Sequence, residues 1–165
     1  LDTVVFFAND GTAYTLPISE IPASSGYGEP LAKHVKLGDG VAILAALSTD
    51  ARFTSPDVVD KKAADLPPKP HLFVTTAQGN VLQVPLSPFR AASTKGGRKF
   101  CKLAPGDRVV SVELSGEATS VFLATRGARV IHFAIEDVPV LSGAGRGVRG
   151  IKLDAHDEVL GAALM

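Results

Sequence analysis

Hydrophobic and polar residues alternate in three separate stretches of this chain: Tyr14, Leu16 and Ile18; Leu82, Val84 and Leu86; and Ile131, Phe133 and Ile135. Successive side chains of a strand point to opposite faces, so this alternation predicts strands with one face buried and the other wet. Tyr14, Leu16, Leu82, Val84, Ile131 and Phe133 are the residues expected to face the interior. Ahead of each stretch lies an apolar strand, Val5-Phe6-Phe7, Leu72-Phe73-Val74 or Val121-Phe122-Leu123, and a turn at Gly11, Gly79 or Gly127. After each comes a glycine-bearing loop and a Lys-Leu pair: Lys36-Leu37, Lys102-Leu103 or Lys152-Leu153. A turn containing Asp39, Asp107 or Asp157 then leads into a closing apolar strand, over 41–47, 109–114 or 159–164.

The chain therefore carries one unit three times, at about 3–48, 71–115 and 119–165, within a single repeat domain. The turn glycines stand 68 and then 48 residues apart, so the first interval holds about 20 extra residues. That surplus lies in 49–70, where Pro56, Pro67, Pro68 and Pro70 oppose regular strand pairing, and it reads as an irregular connector. No stretch shows an apolar stripe at helical spacing behind a capping residue. Four short strands per repeat of this length predict an all-β, bladed, propeller-like architecture.

Composition adds bounds. At 165 residues, with 45% hydrophobic and 21% charged residues, the chain has enough apolar material for one buried domain. No apolar run approaches the ~20 residues of a membrane helix, and no signal-peptide pattern opens the chain. The first residue is Leu1 and not Met, which points to a piece of a longer protein. The single cysteine, Cys101, excludes an internal disulfide and fits a reducing cytoplasm. Net charge is zero, from 17 basic and 17 acidic residues, which counts against a nucleic-acid binder. The distribution counts the other way. Arg90, Lys95, Arg98, Lys99 and Lys102 fall in a stretch with no acid, while acids gather over 50–65.

Candidate chemistry is sparse. His34, His71, His132 and His156 lack metal-ligand spacing and read as surface or edge residues. Cys101 has no His or Asn partner in view and reads as a small buried or half-buried strand residue. The run Gly145-Arg146-Gly147-Val148-Arg149-Gly150 satisfies the dinucleotide pattern Gly-x-Gly-x-x-Gly, which has meaning only between a strand and a helix. Here no helical stripe follows. No catalytic residue, metal or cofactor is expected of this chain.

The third unit, from Asp137-Val138-Pro139 through Ser142-Gly143-Ala144-Gly145-Arg146-Gly147-Val148-Arg149-Gly150-Ile151-Lys152-Leu153 to Asp157-Glu158-Val159, closely resembles the C-terminal repeat of type IIA topoisomerase A subunits, those of gyrase and topoisomerase IV. The resemblance covers nearly the whole chain apart from 49–70. It implies a β-pinwheel, in which neighbouring blades exchange strands and double-stranded DNA bends around a positively charged rim. It also implies a bacterial, cytoplasmic, nucleoid-associated protein that works with an ATPase B subunit. The strand-cleaving tyrosine would lie in the rest of the A subunit, in another domain. The stretch Ser93-Thr94-Lys95-Gly96-Gly97-Arg98-Lys99 resembles the basic box of gyrase A but departs from it at Ser93, Thr94 and Lys99. Gly26-Tyr27-Gly28-Glu29-Pro30-Leu31 looks like the Gly-x-Gly-Glu-Pro-Leu loop of topoisomerase IV, which is favoured, with gyrase second.

Cations neutralise phosphates and release counterions, and glycines beside them let the backbone approach. Recurrence of basic, glycine-bearing loops in successive units, with the family likeness, assigns to DNA the residues Lys33, Lys36, Arg90, Lys95, Gly96, Gly97, Arg98, Lys99, Lys102, Arg126, Arg129, Arg146, Arg149 and Lys152. The alternative is a bladed protein–protein scaffold, for which neutral net charge is natural.

Overall fold

The computed structural model describes residues 2–165. The first unit contributes β1 (Thr3–Ala8), β2 (Thr12–Pro17) and β3 (Ile43–Ser48). The second contributes β4 (His71–Thr76), β5 (Asn80–Pro85), the two-residue β6 (Arg98–Lys99) and β7 (Val109–Leu114). The third contributes β8 (Ser120–Thr125), β9 (Val130–Ala134), the two-residue β10 (Val148–Arg149) and β11 (Val159–Leu164). Regular helix is confined to three-residue 3-10 turns, and no helix among the described residues is long and apolar enough to cross a membrane.

Each of the first two sheets takes three strands from its own unit and its fourth from the next one. The orders are β3-β1-β2-β6 and β10-β5-β4-β7, while the third sheet is β11-β8-β9. The β6 strand lies antiparallel on β2, pairing Lys99 with Thr12 and Arg98 with Ala13. In the same way β10 lies on β5, pairing Arg149 with Asn80 and Val148 with Val81. Blades are thus completed by strand exchange, and the fold is an all-β pinwheel.

A carbonyl at each first turn anchors the exchange. Gly11 O accepts the N–H groups of Phe100 (2.8 Å) and Cys101 (3.3 Å), and Gly79 O accepts those of Gly150 (2.8 Å) and Ile151 (3.3 Å). The incoming backbone comes so close that a Cβ on Gly11 would lie 2.3 Å from Cys101 O, and one on Gly79 would lie 2.7 Å from Ile151 O. Both glycines also have positive φ, 84° and 90°. The third turn departs from the sequence reading. Its last hairpin pair is Ala124–Val130, equivalent to Phe7–Ala13 and Thr75–Val81, so the residue matching Gly11 and Gly79 is Ala128, and not Gly127. Ala128 indeed adopts φ 60°. Sheet three receives no exchanged strand among the described residues, so a Cβ there meets no incoming backbone.

Two cores lie between consecutive sheets, and a third, of Ala8, Tyr14, Leu16 and Val35, lies within the first unit. Val5, Phe7 and Ala13 of the first unit pack with Leu72, Leu82, Val84, Phe89, Phe100 and Cys101 of the second. Phe7 meets Phe89 and Phe100 edge-on, at centroid distances of 6.4 and 5.3 Å. Phe73 and Val81 of the second unit pack in turn with Val121, Leu123, Val138, Ile151 and Val159 of the third. Burying side chains of this size contributes roughly 1.5–3 kcal/mol each. Tyr14, Leu16, Leu82 and Val84 are buried as expected, and Ile131 and Phe133 are half-buried. The expectation of one wet face holds only for β9. Every residue of β4 is buried, as are most of β2 and β5, because the next unit covers the second face. His71, read from sequence as a surface or edge residue, is buried at the head of β4, with Nε2 2.9 Å from Pro67 O. His132 is exposed on β9 and stacks on Phe122 at 4.2 Å.

A polar contact repeats across the unit boundary. Thr15 Oγ1 donates to Phe89 O at 2.6 Å, and at the matching position of β5 Gln83 Nε2 donates to Val138 O at 2.9 Å. Segment 49–70 forms no named strand, but it is tied down. Val58 and Lys69 exchange two backbone hydrogen bonds of 2.8 Å, and Leu86 N–H donates to Pro70 O at 3.0 Å. Arg90 reaches it with an ion pair to Asp57 at 2.8 Å and a hydrogen bond to Ser55 O at 2.5 Å.

The exchange contact sets the expected cost of substitutions at the turns. Replacing Gly79 with Ala forces a side chain into the left-handed region and against Ile151 O, and should destabilise the chain by about 2–4 kcal/mol. Ala128→Gly, at the matching turn, should change stability by less than about 0.5 kcal/mol, because relief of strain offsets the extra freedom of the unfolded chain. Urea unfolding measures both, and equal losses in the two variants would refute the account. Burial, reinforced by nearby Asp107, pushes the Cys101 thiol up to about 12. At pH 8 a thiol reagent should therefore label native Cys101 far more slowly than the chain unfolded in guanidinium. Comparable rates would show that the exchanged segment opens freely.

Candidate nucleic-acid interface

Of the basic residues singled out in the sequence, Arg90 and Lys95 lie on the loop between β5 and β6 and Arg146 on the loop between β9 and β10, with Arg98, Lys99 and Arg149 on the exchanged strands that these loops lead into. Both loops are seated by a glycine that precedes the exchanged strand. A Cβ on Gly97 would lie 2.6 Å from Ala13 O, and one on Gly147 only 2.1 Å from Val81 O. Gly97 and Gly147 therefore approach the neighbouring sheet, and close packing accounts for the glycine pattern at 145–150: Gly147 lies on Val81 O, Gly150 on Leu123 and Val81, and Gly145 on Leu141. The strand β10 follows, not a helix, so the condition for a dinucleotide site is unmet. Gly96 sits in open surroundings at the loop apex, with only Thr94 Oγ1 within 4 Å of a Cβ placed there.

Backbone contacts join the loops in series. Lys36, of the first Lys-Leu pair, donates its N–H to Lys95 O at 2.8 Å, and Lys102, of the second, donates to Gly145 O at 2.9 Å. Each of these Lys-Leu pairs thus lies against the basic loop of the following unit. Tyr14 holds the first of these junctions from beneath, its buried hydroxyl donating to Lys36 O at 3.0 Å. That tether has no signature in the sequence, where Tyr14 reads simply as core.

The cations divide by what they touch. Lys33 pairs with Glu29 at 3.1 Å. Arg90 is held by Asp57 and Ser55, and Arg98 donates to Ala91 O at 2.6 Å and Ala92 O at 2.8 Å. Arg126 shares Glu158 with Arg108, at 2.7 and 2.9 Å, and Arg129 pairs with Asp154 at 2.8 Å. Arg126 and Arg129 line a cavity of about 300 Å3 together with Asp154, His156 and Asp157, so carboxylates offset their charge locally. By contrast Lys36, Lys95, Lys99, Lys102, Arg146, Arg149 and Lys152 are exposed and form no ion pair among the described residues. Of these, Lys99 makes one contact with the protein, from Nζ to Asp10 O at 3.3 Å. The first unit departs at this level. Counting back from its Lys-Leu pair, Glu29 and Pro30 occupy the places of Lys95 and Gly96, and a 3-10 turn over Leu31–Lys33 replaces the exchanged strand.

Comparison with known proteins bears on this arrangement. The family model described as "DNA gyrase C-terminal domain, beta-propeller" matches residues 2–50, 70–115 and 119–164. The DNA gyrase A subunit of Dehalogenimonas lykanthroporepellens is 29% identical over 162 residues, covering 97% of this chain and 18% of that protein. The chain thus spans under a fifth of the length of that relative. Among solved structures, the C-terminal domain of DNA topoisomerase IV superposes with a TM-score of 0.83 at 20% identity, covering 99% of this chain and 47% of that one. The DNA gyrase A C-terminal domain superposes with a TM-score of 0.68 at 23% identity, covering 99% of this chain and 47% of that one. With three matched segments that together take in well over half of its residues, the chain belongs to the gyrase A C-terminal domain family.

Proposed function

We propose that this chain binds and bends duplex DNA without reading its sequence, as the C-terminal domain of the A subunit of a bacterial type IIA topoisomerase. The observation that carries the reading is the series of seven exposed cations that form no ion pair among the described residues, Lys36, Lys95, Lys99, Lys102, Arg146, Arg149 and Lys152, on the exchanged strands and on loops beside them that backbone hydrogen bonds connect. A duplex carries phosphates continuously along its length, so cations repeated from unit to unit can hold it through successive contacts. The added phosphate interactions offset the elastic cost of bending. Net charge of zero is compatible with this, because among the described residues Glu29, Asp50, Asp57, Asp154 and Glu158 pair with other cations and no acid pairs with this series.

Within the family we favour a topoisomerase IV role, positioning a transported DNA segment, over the strong chiral wrapping of gyrase. The degenerate basic box at 93–99 and the Gly26–Leu31 loop support this reading. In the cell the domain would act in the bacterial cytoplasm, on the nucleoid, with an ATPase B subunit beside the remainder of the A subunit.

Fluorescence anisotropy on random-sequence duplex over a salt series tests the DNA reading. Each phosphate contact contributes roughly 0.9 to the slope of log affinity against log salt, so Lys95→Ala, Lys99→Ala and Lys102→Ala combined should flatten it by about 2–3 units for every sequence. Replacing Lys61 and Lys62, both exposed on the connector, should leave the slope unchanged. A folded wild-type chain that binds no duplex at low salt would sink the reading, and equal losses from the connector lysines would remove this loop from the DNA path.

A further inference from the structure

Five cations fall between Arg90 and Lys102, and their surroundings separate them by chemistry. Lys95, Lys99 and Lys102 extend from the surface, whereas the half-buried Arg98 turns back on its own loop. Its Nη1 donates to Ala91 O at 2.6 Å and its Nη2 to Ala92 O at 2.8 Å, so two arms of one planar fork cap consecutive carbonyls. Only a guanidinium offers two donors in that fixed geometry; an ammonium supplies a single point charge. The two capped carbonyls lie at the start of the loop, and Arg98 itself is its exit. The fork therefore closes 91–98 into a ring with Lys95 and Gly96 at the apex.

Other contacts hold the backbone of that ring: at the apex Lys36 N–H donates to Lys95 O at 2.8 Å, and two further sets fix the base, leaving the span from 91 to 98 to be closed by Arg98. Ser93 N–H donates to Thr15 O at 2.9 Å, and Ser93 Oγ accepts the N–H of Thr15 at 3.1 Å. Gly97 N–H donates to Thr94 O at 3.0 Å. In the third unit Val148 stands at the matching place, and its loop has no fork. Resting on the DNA-binding reading above, we propose that Arg98 is a positioning residue: it makes no phosphate contact, and it holds the 91–98 loop so that Lys95 is presented to the duplex.

The test compares Arg98→Gln, Arg98→Lys and Lys95→Ala in the full chain, each checked for a wild-type urea midpoint. Hydrogen exchange at the Ser93 and Gly97 amides needs no DNA. It should speed up about tenfold or more in both Arg98 variants and stay unchanged in Lys95→Ala. On random duplex, Arg98→Gln and Arg98→Lys should each weaken binding roughly three- to tenfold with an unaltered salt slope, while Lys95→Ala should flatten the slope by about 0.9. A phosphate contact would give the opposite pattern, with Arg98→Gln flattening the slope and Arg98→Lys restoring wild-type affinity, and that result overturns the proposal. Unchanged exchange at Ser93 and Gly97 in Arg98→Gln overturns it as well. Should the wild-type chain fail to bind duplex, the DNA reading falls, and the exchange data alone decide whether Arg98 holds the loop. An Arg98→Gln variant that unfolds would leave Arg98→Lys, which keeps the charge and the stem, to decide both readouts.

Discussion

The carbonyl oxygens of Gly11 and Gly79 each receive two N–H groups from the unit that follows, at a separation that leaves no space for a Cβ. Much of the remaining architecture depends on that contact. It brings β6 onto β2 and β10 onto β5, which caps strand edges that would otherwise present unpaired backbone groups. It carries Phe100 and Cys101 into the core of the first boundary, and Ile151 into that of the second. The basic loops come with it, since they lead directly into the exchanged strands. Stability and the placement of charge thus share one cause, and neither can be altered at these turns without the other.

Part of this was legible in the sequence. Alternation at Tyr14/Leu16 and Leu82/Val84 marks the strands because side-chain direction in a strand is fixed by geometry. Burial of the second face was not legible, because it depends on which unit lies alongside, and Gln83 or Thr15 reads as a wet-face residue until a neighbour covers it. The exchanged strands were equally hidden. Arg98-Lys99 and Val148-Arg149 are two-residue, largely charged segments with no apolar period. The third turn misled for a related reason: Gly127 looks like the turn residue, yet Ala128 takes the left-handed conformation, tolerable where nothing presses on its Cβ.

The basic residues show the same limit. The acid-free run from Arg90 to Lys102 was visible as composition, but composition cannot tell a cation that holds the protein together from one that faces solvent. Here the arginines of that run are engaged, Arg90 with the connector and Arg98 with its own loop, and the lysines are exposed. The guanidinium fork suits fixed carbonyls and carboxylates, while a flexible ammonium adapts to a partner whose position varies. In the third unit Arg146 and Arg149 are exposed and make no ion pair among the described residues, so the division belongs to local geometry and is not a rule of residue type.

Strand exchange also has a mechanical consequence. Lys99 and Arg149 sit on strands that belong by sequence to one unit and by hydrogen bonding to the preceding sheet. Tension on a molecule gripping these side chains would enter the preceding sheet across the ladder, without first travelling along the covalent chain. Each exchanged strand is only two residues long, so its ladder would peel before the pairing of six-residue strands such as β4 and β7 began to shear. The exchanged strands would then be the first links between blades to yield under load, ahead of the long ladders within each sheet.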